Sequence, residues 1–147
     1  MKITYKGDYA LKAVLNLAVN FKAGNVTTIH ELAKSSDMPI KFLEQVLLDL
    51  KKGGFVGSKR GKVGGYYLAK QPSQIRLGDV IRFMEGPIEP IGCVGDKYSG
   101  CGDIHKCIFR KIWRKVSTAT SDIVDNITFE DLVSQVKSSQ KTLVYSI

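Results

Sequence analysis

The chain has 147 residues, 44% apolar and 24% charged, the balance of one compact domain or of a small domain with an added oligomerisation element, which excludes a disordered or fibrous chain. No stretch approaches the roughly 20 uninterrupted apolar residues that span a bilayer, and the apolar run 9–21 has Asp8 before it and Lys12 inside it, so no signal-peptide core is expected and the expected setting is the cytoplasm. Twenty-two Lys and Arg against 14 Asp and Glu give a net charge of +8 and point to a polyanionic partner, most simply nucleic acid.

Tyr9, Ala13, Leu17 and Phe21 recur every four residues, with Ala10, Val14 and Ala18 beside them, which predicts a first amphipathic helix. Thr28 followed by Glu31 reads as a capping box that opens a short second helix burying Ile29, Leu32 and Ala33. A turn is expected over 35–38. Pro39, whose fixed φ suits a first helical position, then begins a third helix with Leu43, Val46, Leu47 and Leu50 as its stripe and Gly53-Gly54 as its stop.

Two short strands, 55–59 and 66–69, flank the glycine-rich connection from Arg60 to Gly65, the composition that tight hairpin turns require. A helix-turn-helix followed by a basic hairpin is a winged helix. Val80, Ile81 and Met84 mark a fourth helix. Phe109, Ile112, Val116, Ala119 and Ile123 then fall at heptad spacing along about 18 residues, roughly 27 Å of helix, a single apolar seam that asks for a second copy of the chain. Thr128 with Asp131 caps a last helix carrying Leu132, Val133 and Val136, and the final ten residues are expected to be poorly anchored.

The expected class is therefore mainly helical with a small β-hairpin wing. The expected divisions are 1–85 for the winged helix and its supporting helix, 86–107 for a loop, and 108–147 for the dimerisation and C-terminal helices.

Between Lys51 and Lys70 there are six basic residues and no acidic one, a patch suited to phosphates. Lys41, Glu44 and Gln45 lie on the third helix away from its apolar stripe, where Gln can pair with adenine and Glu can accept from the cytosine amine. Arg60 falls at the wing tip, where a narrow minor groove attracts a guanidinium. Lys51, Lys52, Lys59 and Lys62 are the expected phosphate contacts, giving affinity rather than sequence choice.

Residues 86–102 hold two prolines and five glycines, an irregular stretch long enough to be functional. Cys93, Cys101 and Cys107 form a C-x7-C-x5-C pattern in and just after it, and an odd count argues against a disulfide framework. Three thiolates suit an iron–sulfur cluster, or zinc with His105 as the fourth ligand, and free thiols or a thiol-based switch also fit the spacing.

Five motifs, Gly7-Asp8-Tyr9-Ala10, Phe42-Leu43-Glu44-Gln45, Arg60 to Tyr66, Leu77 to Ile81 and Ile127 to Leu132, occur in an order that resembles the IscR/NsrR/CymR family over about residues 1–137. The resemblance implies a dimeric bacterial winged-helix transcription regulator, and the cysteine trio is similar to the subset that holds an iron–sulfur cluster. It further implies Cys93, Cys101 and Cys107 as thiolate ligands, Arg60 in the minor groove and Glu44 in base discrimination. The cluster-assembly regulators place a histidine where this chain has Arg110. The nitric-oxide-responsive members use an aspartate of the other subunit at the position of Asp8. The gap between Cys93 and Cys101 is also two residues longer than the commonest family spacing.

The expected function is thus a promoter-binding regulator, a repressor by type, whose DNA binding is governed by a 2Fe–2S or 4Fe–4S cluster sensing iron–sulfur status, redox state or nitric oxide. Double-stranded operator DNA and a second copy are the expected partners, with no membrane and no small-molecule substrate. The alternatives are a zinc-stabilised or thiol-switched regulator and a small iron–sulfur electron-transfer protein. No nucleophile elbow, phosphate-binding loop or zinc-protease helix is present, so no enzyme is expected.

Overall fold

Three threonines start three of the helices. Thr4 accepts from the Gly7 amide at 3.2 Å and opens α1, Tyr5–Val19. Thr28 and Glu31 satisfy each other's backbone amides at 2.8 and 3.3 Å and open α2, Ile29–Ser36. The same reciprocal pair, with Asp131 in place of Glu, opens the last helix at Thr128. The structure is a computed structural model that describes the backbone of residues 1–145 and the side chains of residues 1–141.

After α2 come α3 (Ile40–Lys52), β1 (Val56–Lys59), β2 (Gly65–Leu68), α4 (Leu77–Glu85), α5 (Ile108–Asp125) and α6 (Phe129–Tyr145), with 3₁₀ turns at Pro72–Gln74 and Gly92–Val94. The second helix runs on to Ser36, so the expected four-residue turn shrinks to Asp37-Met38, with Asp37 in the left-handed region at φ 50°. Pro39 is the N-cap of α3 rather than its first residue. The end of the chain falls partly outside the described residues, but its backbone is helical through Tyr145.

The stripe of α3 is the centre of the core: Leu43, Val46, Leu47 and Leu50 are all fully buried, against Ala10, Ala13, Val14 and Leu17 of α1 and Leu32 of α2. Strands β1 and β2 pair antiparallel, Val56 opposite Leu68 and Lys59 opposite Gly65. Their apolar ends, Val56 and Leu68, enter the same core. A third rung joins them, because Thr27 and Tyr66 exchange both backbone hydrogen bonds at 2.8 Å. The wing is thereby stitched to the segment leading into α2. At its tip Gly61 has φ 110°, and a Cβ on Gly64 would collide with the Lys59 carbonyl, so the turn needs glycine at both places.

The chain then leaves the core and returns. Residues 75–77 and 127–129 form a short backbone clasp, in which the Leu77 amide reaches Ile127 O at 2.9 Å and the Phe129 amide reaches Ile75 O at 3.0 Å. Phe129 drops fully buried into the core of α1–α4, and α6 packs along α1. Helix α5, between these returns, is different. Val124 is its one buried residue among those described, whereas Ile108, Phe109, Ile112, Trp113, Val116 and Ile123 are 38–73% exposed. The heptad seam lies uncovered.

Among the described residues one ion pair joins α5 to α4. Arg82 of α4 grips Asp125 with both guanidinium nitrogens at 2.5 and 2.9 Å, and Arg76 donates to the Asp125 carbonyl at 3.0 Å. The Arg82 guanidinium holds the Asp125 carboxyl below its ordinary value. A depressed carboxyl stabilises the fold above its unfolded value near pH 4 and loses that contribution as pH falls through its folded value. Because both side chains are about a third exposed, Asp125→Ala is expected to cost only about 1–2 kcal/mol in urea denaturation at pH 7. The difference from the wild type should shrink below pH 4.

Candidate nucleic-acid interface and cysteine loop

The α3 stripe is spent on the core, so its opposite face must look outward. Lys41, Glu44 and Gln45 are all exposed there. The face is held by Asp49, which takes Lys6 of α1 at 2.6 Å and Lys52 at 3.6 Å. Lys6 in first place keeps the Asp49 carboxyl charged below the usual range. Tyr9 and Phe42 meet edge to face at 5.3 Å and brace the start of α3 on α1. The recognition helix is therefore anchored at both ends to α1 with its polar side exposed, where the Gln45 amide donates to Asp49 at 3.5 Å.

The wing continues this surface. Lys59, Arg60 and Lys62 are exposed around the β1–β2 turn, and Lys51 is tied back to β1 through a 2.7 Å hydrogen bond to Ser58. Lys52 is engaged with Asp49 and remains largely solvent-exposed. Two residues on this surface escape a charge-based reading: Val63 at the tip is 81% exposed, and Tyr67 lies across Gly57 with its ring half out. Apolar and aromatic tips carry no charge signature, though a valine in a glycine-rich turn is itself a cue.

The cysteine loop is bound at both ends. Gly86 follows α4, and Cys107 is the N-cap position of α5. Cys93 lies in the 3₁₀ turn Gly92–Val94, so the stretch is not structureless. Cys93 and Cys107 are half-buried, Cys101 is exposed, and all three thiols are free. Among the described residues they do not converge, within one chain, into a group that could hold a metal ion. The donor chemistry still fits iron: three unpaired thiols on one glycine-bearing loop, none committed to a disulfide. His105 is exposed and in no such group.

Asp8 lies in the first turn of α1, half-buried and paired with Lys12 at 2.6 Å. It does not cap the helix, since Thr4 does. It opens instead onto a surface hollow lined by Lys2, Ile3, Thr4 and Tyr5, where Ile3 and Tyr5 are exposed. Among the described residues Asp8 joins no group of three or more His, Cys, Asp or Glu side chains that could hold a metal ion.

A recognition helix seated on a three-helix core, with a stitched basic hairpin beside it, defines a winged-helix DNA-binding protein. Residues 3–135 match the Rrf2 family, described as "Iron-dependent Transcriptional regulator". An rrf2-like HTH-type transcriptional regulator of Rhodobacter capsulatus is 38% identical over 96% of this chain and 98% of its own. The structure of CymR, the global cysteine regulator of B. subtilis, superposes with a TM-score of 0.76 at 32% identity over 92% of this chain and 98% of that one. T. potens IscR gives 0.76 at 31% identity over 95% and 91%. The chain belongs to the Rrf2 family of transcriptional regulators, which bind DNA and act as dimers and are not enzymes.

Proposed function

We propose that this regulator is a homodimeric repressor whose hold on its operator is set by an iron–sulfur cluster. The observation that carries the reading is the placement of three free thiols on the loop that joins the end of α4 to the start of α5. Cys93, Cys101 and Cys107 would hold the cluster, and Asp8 of the second copy would complete the ligand set. An iron–sulfur cluster, when bound, supplies iron chemistry that responds to oxidation, nitric oxide and iron–sulfur supply.

The chain's own residues convert that state into a change of shape. The uncovered seam of α5 pairs with its copy, so the two DNA-binding cores hang on the ends of a common rod. Glu85, the last residue of α4, accepts from the Thr4 amide and hydroxyl at 2.8 and 2.7 Å. The N-terminal ammonium binds the Glu89 carbonyl at 3.0 Å. The start of α1, which carries Asp8, is therefore fastened to the same α4–loop junction. Moving the loop moves both, and with them the spacing of the recognition helices. A coupling of about 1–3 kcal/mol is enough to shift occupancy severalfold or more. Residues 1–85, 86–107 and 108–147 would then act as reading head, sensor loop and dimer unit, working on promoters in the cytoplasm.

On the DNA, Glu44 and Gln45 would meet base edges with Lys41 beside them. Arg60 would enter the minor groove, and Lys51, Lys52, Lys59 and Lys62 would take phosphates.

The test is anaerobic purification with iron, sulfide and zinc analysis and visible spectroscopy. Iron and sulfide in equal amounts per cluster, lost in Cys101→Ala with the fold intact, support the reading, and Asp8→Ala should shorten the lifetime of the absorbance in air. Zinc without sulfide overturns it in favour of a structural metal, and cluster without operator binding favours electron transfer. A second reading, a thiol switch, is favoured by the exposed Cys101 thiol and by the apartness of the three sulfurs within one chain. It predicts metal-free protein whose operator binding changes on oxidation.

A further inference from the structure

Helix α5 grips the cysteine loop with three side chains on one face. Arg110 donates from Nε to the Cys93 carbonyl at 2.7 Å, Arg114 binds Asp96 at 2.9 Å, and Ser117 donates to the Ile88 carbonyl at 2.7 Å. Positions 110, 114 and 117 follow the four-then-three spacing of one helical stripe, so the segment 88–96 is strapped along α5. The middle rung is an exposed ion pair, with Asp96 91% accessible, and is worth little. The first rung is different. Arg110 is half-buried and spends only Nε, and its two terminal amines have no protein partner among the described residues. A guanidinium normally uses its fork, so an unspent one at the neck of a thiol loop is a charge waiting for an acceptor.

The geometry points to Arg110 as a positioning residue of the cysteine site, fixing Cys93 relative to Cys107 and offsetting the negative charge that three ligated thiolates would gather. Arg110 lies one turn beyond Cys107 on the same helix, and its Nε bond reaches the backbone of Cys93. One side chain thus ties the backbone of Cys93 to the helix that Cys107 caps, while Cys101 has no comparable tether among the described residues. The third sulfur is the arm that closes, and the first two form its preset seat. Outer residues that orient metal ligands typically carry 10–100-fold of the affinity. This inference rests on the three-thiol reading of the site, though not on the metal being iron.

The experiment is a titration of reduced, metal-free protein with Cd²⁺ alone, followed by the ultraviolet thiolate-to-metal absorbance, in the wild type, Arg110→Ala, Arg110→Gln and Arg110→Lys. Amide hydrogen exchange over residues 92–96 is read in parallel. Arg110→Ala should weaken Cd²⁺ binding by about 10-fold or more and speed exchange of the Cys93 turn. Arg110→Gln, which can still donate to the carbonyl, should restore the exchange protection but only part of the affinity, separating the two roles. If Arg110→Ala does not fold, the Gln and Lys variants decide alone. Cd²⁺ affinity within twofold of the wild type in every folded variant overturns the proposal, as does a wild type that binds no Cd²⁺. A wild type that binds Cd²⁺ with an affinity that depends on Arg110 but purifies without iron and sulfide sinks the cluster reading and leaves this one standing.

Discussion

Phe129→Ala is expected to destabilise the whole chain by about 3–5 kcal/mol, the range for deleting a buried ring from a packed core. Phe129 is fully buried, and it heads the set of largest side chains with no solvent contact. It belongs to α6, yet it joins the buried cluster that α1–α4 build, and α6 packs on α1 and on the turn Pro72–Gln74. Its amide also closes the clasp onto Ile75. The cavity left by the ring would open in the same core that holds the α3 stripe. For a domain this size the loss corresponds to a fall of roughly 10 °C in Tm, and it is a large share of the about 5–15 kcal/mol that holds an ordinary domain together. Thermal and urea unfolding by circular dichroism check it. A fall below about 1 kcal/mol, or faster hydrogen exchange confined to α6, would mean that the last helix is an appendage.

Local rules carried the reading head. The α3 stripe at 43, 46, 47 and 50 follows the helical period, and all four residues are fully buried. The capping pairs Thr28–Glu31 and Thr128–Asp131 are set by neighbours three apart, which a sequence displays directly. The wing was legible from glycines whose places in the turn a Cβ or a positive φ enforces. The first strand begins one residue later than expected, at Val56, and the second runs Gly65–Leu68 in place of 66–69, although the Ala69 amide still donates to the Phe55 carbonyl at 3.0 Å.

What stayed hidden depends on contacts distant in the chain. The Thr27–Tyr66 rung is one residue on each side, too short for any alternation to announce it. The return of α6 onto α1 needs the clasp at 75–77, and nothing in residues 129–136 names that partner. Arg110, Arg114 and Ser117 act through carbonyls and a carboxylate of the loop. A backbone acceptor has no residue signature, so an arginine beside a cysteine reads merely as charge. The heptad seam of α5 was plain, and Phe109, Ile112, Val116 and Ile123 along it are exposed.

Replacing Lys59, Arg60 and Lys62 together by Ala should weaken operator binding about 100-fold near 0.15 M salt. Each cation lost from the DNA surface removes a slope of about −0.9 in log K against log salt, so the two phosphate-binding lysines and the minor-groove guanidinium together give about −2.7. Extrapolated from 1 M, where ion release contributes nothing, to 0.15 M, that slope amounts to about two decades, or roughly 3 kcal/mol. The three side chains are exposed and make no hydrogen bond or ion pair within the described chain, so stability should stay within about 0.5 kcal/mol of the wild type. The slope is the diagnostic reading. A smaller slope with unchanged preference between operators marks Lys59 and Lys62 as phosphate contacts, since such contacts carry no sequence information. A preference that relaxes at A·T-rich positions in Arg60→Ala alone marks a guanidinium in the minor groove. A triple variant whose affinity and slope both match the wild type would place the wing away from the DNA and leave α3 to bind alone.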